Sequence, residues 1–368
     1  MHRALATVDL GAVRHNVAAL TGRLTQDTSL MAVVKAEGYG HGAVQVARAA
    51  IGAGARSLGV ATVAEAAALR EADIDSRLLI MGPLTGTELD RAFDLDVEII
   101  VWSLPFLKSL VRKGHARDRQ IRVHVKVDTG MRRLGLYLRQ LADYLDSIES
   151  EPEAELAGVM THFATADDDE DFFRYQLRAF EDAVQVVLRT GVRPEFHCAN
   201  SAAAIRFPET HFDMVRCGIA VYGLSPFQKD PLADGLRPAL SLASFIADIK
   251  VLAAGDAVGY GRTWTAARDT HVGVVPIGYG DGVSRRLSNR GQVLAGGRPR
   301  DIVGLVSMDQ LTIDLGPQPD VGPGEEVVLI GSQGGKFIRA EEMAAMLDTI
   351  NYEVVCNLSQ RVERKYCQ

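Results

Sequence analysis

Between residues 30 and 217 the chain alternates eight short apolar runs with helix-like stretches, and this rhythm limits the fold more than any other feature. Strand-like runs fall near 30–34, 57–61, 78–82, 97–102, 121–127, 156–163, 195–198 and 213–217. Helix-like runs lie between them near 42–52, 63–72, 86–93, 104–114, 138–149 and 170–190, with one more at 201–206. Eight such units in roughly 200–250 residues predict an α/β fold with an N-terminal (β/α)8 TIM barrel. A doubly wound open sheet is the rival, but no Gly-x-Gly-x-x-Gly follows any run. Ahead of the barrel, Ala6 to Leu10 alternates like a strand, and Val13, Val17, Leu20 and Leu24 recur at helical spacing.

Past about residue 235 the rhythm changes. Short runs at 240–252, 270–276, 292–294, 302–313 and 326–330, separated by glycine- and proline-rich turns, predict a C-terminal mainly-β domain. The expected division is residues 1–235 for the barrel and 236–368 for the β domain. A length of 368 residues exceeds one ordinary core and agrees with two domains. A last helix near 340–347 leads into Asn351-Tyr352-Glu353. The acidic run Asp167 to Asp171 reads as the solvated first turn of a long helix, favoured there by the helix dipole.

Charge and cysteine content exclude several classes. A net charge of −7, with no basic tract interleaved with aromatics, argues against nucleic acid. Cys198, Cys217, Cys356 and Cys367 are too far apart for a zinc site or a disulfide framework, which suits a reducing compartment. No stretch approaches the roughly 20 apolar residues of a membrane span, and the first residues lack a signal region. A cytoplasmic protein without a metal site is expected.

Barrel enzymes carry their chemistry at the C-terminal ends of the strands. Those ends hold Lys35, Met81, Lys126 with Asp128, His162, Asn200 with Ser201, and Arg216. On its own stretch Lys35 reads equally as a surface lysine and as a desolvated Schiff-base former. Ser201 alone is a plain helix cap, and His162 alone a satisfied core histidine. Together they describe something narrower. Asn200-Ser201 after strand seven and Gly218-Ile219 after strand eight offer the donors with which barrels hold phosphate. An amine at Lys35 and an imidazole at His162 able to stack on a flat ring complete a site suited to pyridoxal 5'-phosphate.

The motifs that carry these residues resemble those of bacterial alanine racemases. The stretch Val33-Val34-Lys35-Ala36-Glu37-Gly38-Tyr39-Gly40-His41-Gly42 is similar to the family's pyridoxal phosphate site. The likeness continues through Lys126-Val127-Asp128-Thr129-Gly130-Met131-Arg132-Arg133, Thr161-His162-Phe163 and Arg216-Cys217-Gly218-Ile219. It ends with Gly259-Tyr260-Gly261, Ser307-Met308-Asp309 and Asn351-Tyr352-Glu353. The resemblance implies a cytoplasmic homodimer with shared active sites, acting on alanine and supplying D-alanine for peptidoglycan. Lys35 would hold the cofactor as a Schiff base and serve as base on one face of Cα. Tyr260 would be the base on the other face, reaching in from the partner's β domain. Tyr39, Ser201, Gly218, Ile219 and Tyr352 would hold the phosphate, with Asn200 beside them. His162 would stack on the ring, and Arg216 would face its nitrogen. Arg133 and the partner's Met308 would bind the substrate carboxylate, and Lys126 would carry a carbamate.

Departures from the family pattern are small: Glu37-Gly38 for Asn-Ala, Ser307 for a frequent cysteine, and Gly280 for alanine. They bear on substrate choice, so a broad-specificity or serine racemase is an alternative. An amino-acid decarboxylase would set a carboxylate where Arg216 stands, and a single-barrel cofactor carrier would lack Tyr260.

Overall fold

The computed structural model describes residues 2–368. Eight parallel strands form one sheet: β2 (Ser29–Val33), β3 (Ser57–Val60), β4 (Arg77–Ile80), β5 (Glu98–Val101), β6 (Ile121–Lys126), β7 (Ala154–Met160), β8 (Glu195–His197) and β9 (Met214–Cys217). Each pairs with its successor from β2 to β8, and β2 also pairs with β9. The sheet closes where Asp213 N–H donates to the Phe196 carbonyl and Arg216 N–H to that of Ala199, at 3.1 and 3.0 Å. All eight strands and the helices of the alternation are present. The runs read as continuous apolar segments because both faces are buried, by outer helices on one side and barrel contents on the other.

Local signals account for the helices. Thr62 and Thr85 open Val63–Glu71 and Gly86–Asp94 with capping boxes to Glu65 and Glu88. Asp169 caps Glu170–Leu188 by accepting from Phe172 N–H, which explains the acidic run without chemistry.

The strand β1 (Leu5–Asp9), which precedes the barrel in the chain, lies outside it. It pairs antiparallel with Leu240–Phe245 and parallel with Glu363–Cys367, so it joins the C-terminal sheet. That sheet runs Arg298–Asp301, Gln292–Ala295, Glu326–Gln333, Leu240–Phe245, β1, Glu363–Cys367. A second sheet of Asp248–Leu252, Thr270–Val275 and Leu311–Gly316 completes the β domain. Both chain ends therefore fasten the two domains together. Among the described residues no helix is long and apolar enough to cross a membrane.

Candidate active site

A cavity of about 500 Å³ opens at the C-terminal end of the barrel. Lys35, Tyr39, Met81, Lys126, Arg133, His162, Asn200, Ser201, Arg216, Gly218, Ile219 and Tyr352 all line it, together with Cys356. The strand ends thus bring together the residues that the sequence singles out. Tyr260 and Met308 are not among them: they lie in the β domain of the same chain, 73% and 51% exposed.

The segment after Lys35 is a turn of left-handed helix. Ala36, Glu37, Gly38 and Tyr39 have φ of 52°, 53°, 58° and 51°. Left-handed backbone costs about 1–2 kcal/mol per non-glycine residue, so the surroundings must hold it. Glu65 does much of this. One carboxylate oxygen accepts from Ala36 N–H at 2.7 Å and the other from Ala61 N–H at 2.7 Å. The Tyr222 hydroxyl donates to the Val33 carbonyl at 2.9 Å, and its ring lies 4.9 Å from that of Tyr39. The turn buries Tyr39 while Lys35 stays half-buried at the cavity wall.

Positive charge gathers here and outweighs the nearby Glu65 and Asp128. Burial, then the nearby Arg133, lowers the Lys35 pKa. Lys126, 6% exposed, is lowered to about 8 by burial and then by Arg216 and Arg133. Burial and the same cations hold His162 well below the ordinary imidazole range, so its ring is neutral. Buried Arg216 is lowered to about 10 and stays cationic at neutral pH.

The bonding of Arg216 shows what is left for a ligand. Nη1 donates to the His197 carbonyl at 2.8 Å and to His197 Nδ1 at 3.1 Å. Nη2 donates to the Thr161 carbonyl at 2.8 Å and reaches the Cys198 carbonyl at 3.2 Å and His162 Nδ1 at 3.3 Å. Among the described residues Nε–H alone has no partner. The hydroxyls of Tyr39 and Tyr352 and the N–H of Ile219 likewise make no hydrogen bond within the protein. Gly218 matters here because a Cβ would sit 2.3 Å from the Tyr39 hydroxyl. Its own N–H donates to Ser201 Oγ at 3.0 Å. The Asn200 side chain is engaged in capping, accepting from Ala203 N–H at 3.0 Å. Asp128 accepts from Gly130 and Arg132 N–H at 2.9 and 3.1 Å, shaping the loop that presents Arg133.

Glu65, Ile350 and Cys356 carry no catalytic motif of their own, and Glu353 is marked only as the neighbour of Tyr352 in Asn351-Tyr352-Glu353. Glu65 has a local signal, as the last member of the capping box Thr62-x-x-Glu65. Ile350, Glu353 and Cys356 reach the cavity through the helix Asn351–Cys356, whose placement against the barrel is a tertiary matter.

A parallel barrel whose C-terminal end gathers a lysine, an arginine and unpaired hydrogen-bond donors, with a β domain attached, defines a class of two-domain barrel enzymes. Residues 8–226 match the alanine racemase N-terminal domain and residues 239–366 the alanine racemase C-terminal domain. The chain is 44% identical to an alanine racemase of Symbiobacterium thermophilum, over 98% of this chain and 96% of that one. It is similar to the crystal structure of alanine racemase from Streptomyces lavendulae, at 39% identity and a TM-score of 0.96, covering 100% and 98% of the two chains. An alanine racemase from Bacillus anthracis with bound L-Ala-P has 37% identity and a TM-score of 0.93, covering 100% and 96%. The chain belongs to the alanine racemase family.

Proposed function

We propose that this chain interconverts L- and D-alanine with pyridoxal 5'-phosphate, as a cytoplasmic homodimer that supplies D-alanine for peptidoglycan. The observation that carries the reading is the free Nε–H of Arg216 in a cavity shared with Lys35. A guanidinium whose terminal nitrogens are occupied offers one N–H to a ring nitrogen and cannot accept a proton from it. The unpaired hydroxyls of Tyr39 and Tyr352 and the N–H of Ile219 fit a phosphate, with the Ser201 hydroxyl, which accepts from Gly218 N–H and so keeps its own proton for the ligand. When bound, pyridoxal phosphate supplies an electron-withdrawing ring that acidifies Cα–H of the substrate.

Racemisation needs a proton removed from one face and returned to the other. Lys35 Nζ takes the role on the near face, because burial and Arg133 disfavour its ammonium form. Tyr260 takes the far face from a second copy, since within its own chain it stands exposed and away from the cavity. Its neighbour in that role, Met308, is exposed on the same domain. After one turnover Lys35 has gained a proton and the phenol has lost one, and proton exchange with solvent returns both groups to their starting states for the next turnover. The neutral His162 ring stacks on the cofactor. Arg133, exposed and without an ion-pair partner, binds the substrate carboxylate.

Lys126 fits a carbamate. With its pKa at about 8, part of the amine is neutral near that pH. It adds CO2, forming an N–C bond and releasing a proton, and a cation beside Arg133 becomes an anion. Electron density at Nζ in bicarbonate-equilibrated crystals tests this, and a bare amine there rejects it.

The activity itself is tested on a panel of L- and D-amino acids, alanine and serine first. Alanine turned over in both directions is the expected result. Racemisation of serine but not alanine would replace the assignment with a serine racemase.

A further inference from the structure

Beneath Arg216 the barrel interior contains a file of polar side chains that the proposed reaction does not touch. Glu98 and His124 are fully buried in β5 and β6, and His197 is fully buried in β8. His124 Nε2 lies 2.8 Å from Glu98 Oε2, and His124 Nδ1 lies 2.8 Å from His197 Nε2. His197 Nδ1 lies 3.1 Å from Arg216 Nη1. At the base, Glu98 Oε1 accepts from Arg77 Nε at 2.6 Å and faces Arg122 Nε at 3.2 Å. The backbone makes room for this file. The β6–β7 register shifts between Val123 and His124, which sets His124 opposite Gly158. A Cβ at Gly158 would lie 2.2 Å from His124 Nδ1.

The proton positions follow by elimination. A guanidinium only donates, so His197 Nδ1 must accept and its proton sits on Nε2. That N–H donates to His124 Nδ1, which leaves the His124 proton on Nε2, donating to Glu98. A doubly protonated His124 would force His197 to place its proton against Arg216, so the same geometry excludes it. The file is then satisfied by an acceptor at its far end, which Glu98 Oε2 supplies. Burial would raise its pKa, but His124 and Arg77 outweigh this and hold Glu98 at about 2.

We propose that Glu98, through His124 and His197, is a positioning residue for Arg216: it fixes both imidazole tautomers and so keeps Nη1 engaged, leaving Nε–H as the donor to the ligand ring. The inference rests on the reading of Arg216 given above. Without the carboxylate, His197 is free to adopt the Nδ1–H tautomer, which repels Nη1–H and turns the guanidinium.

The first test needs no activity and no variant. In holoenzyme labelled with 15N-histidine, long-range 1H–15N spectra should show both buried imidazoles with unprotonated Nδ1 and protonated Nε2. A proton on Nδ1 of either overturns the proposal, whatever the enzyme turns over. The second compares Glu98→Gln, which keeps an acceptor for His124, with Glu98→Leu, which does not. The Leu variant should change the His197 ring signals and lower kcat about 10- to 100-fold, the range outer partners command at metal-ligand histidines. KM for alanine should hold, because Arg133 is untouched, and Gln should lie between Leu and wild type. A Leu variant that loses thermal stability alone, or loses kcat with unchanged ring signals, makes Glu98 a structural residue and overturns the assignment.

Discussion

At the base of the barrel the Glu98 carboxylate has ion pairs with Arg77 and Arg122 and a hydrogen bond from His124. At the open end Lys35, Lys126, Arg133 and the hydroxyls of Tyr39 and Tyr352 have no hydrogen-bond or ion-pair partner for their side chains among the described residues. Both regions are polar and both are walled by the same strands. The difference is informative because a polar group removed from water without a partner costs free energy. The base has resolved that cost internally, whereas the open end is completed by what binds there. Arg216 stands between the two, bonded to His197 of the file through Nη1 and to the Thr161 and Cys198 carbonyls through Nη2, and free at Nε.

The strongest way to break this contrast is at the open end. Lys35→Ala should remove the visible absorbance of lysine-bound cofactor and abolish racemisation, and a variant that keeps both takes Lys35 out of its role. Next is the group that the single chain leaves outside the cavity. Tyr260→Phe should lower turnover by about 10²–10⁴-fold, the usual reach of general acid–base catalysis. Solvent-deuterium exchange should fall unequally for L- and D-alanine, since only one face loses its base. Equal losses of Cα–deuterium exchange from the two enantiomers would remove the two-base assignment.

At the base the effects are on stability. Gly158→Ala drives a methyl into the His124 ring and should destabilise by about 1–3 kcal/mol, the usual cost of overpacking. A thermal midpoint equal to wild type would mean that the file has room to spare. The other effect at the base is a pH dependence. The Glu98 pKa is depressed in the folded state, so its contribution is present above the ordinary value of 4.5 and is lost as pH falls towards 2. A shift of this size corresponds to about 3 kcal/mol. Urea unfolding between pH 5 and 2 should therefore be less steep in pH for Glu98→Gln than for wild type.

Much of the barrel was legible in the chain. Runs such as Leu30–Val34 and Leu78–Met81 announce buried strands because burial on both faces demands an unbroken apolar stretch. The ends of those runs then select Lys35, Lys126, His162 and Arg216, since a strand's last residue meets the cavity. The capping pattern at Thr62 and Asp169 was equally readable, because capping is settled within four residues. The left-handed turn at Ala36–Tyr39 was not. Ala36, Glu37 and Tyr39 are residues without preference for that backbone, and it is held by Glu65 from the next βα unit.

The sequence by itself determined the order of elements, the change of rhythm near residue 235 and the residue types at the strand ends. These depend on periodicity and on neighbours a few positions away. Only the tertiary structure decided that β1 belongs to the C-terminal sheet, for its partners are about 235 and 358 residues distant in the chain. It also decided that Glu98, His124 and His197 form one file under Arg216. Neither periodicity nor a motif marks any of the three, and their meaning lies in hydrogen bonds across four different strands. The separation of Tyr260 from the Lys35 cavity is of the same kind, because the sequence places both residues in motifs and says nothing of the distance between them.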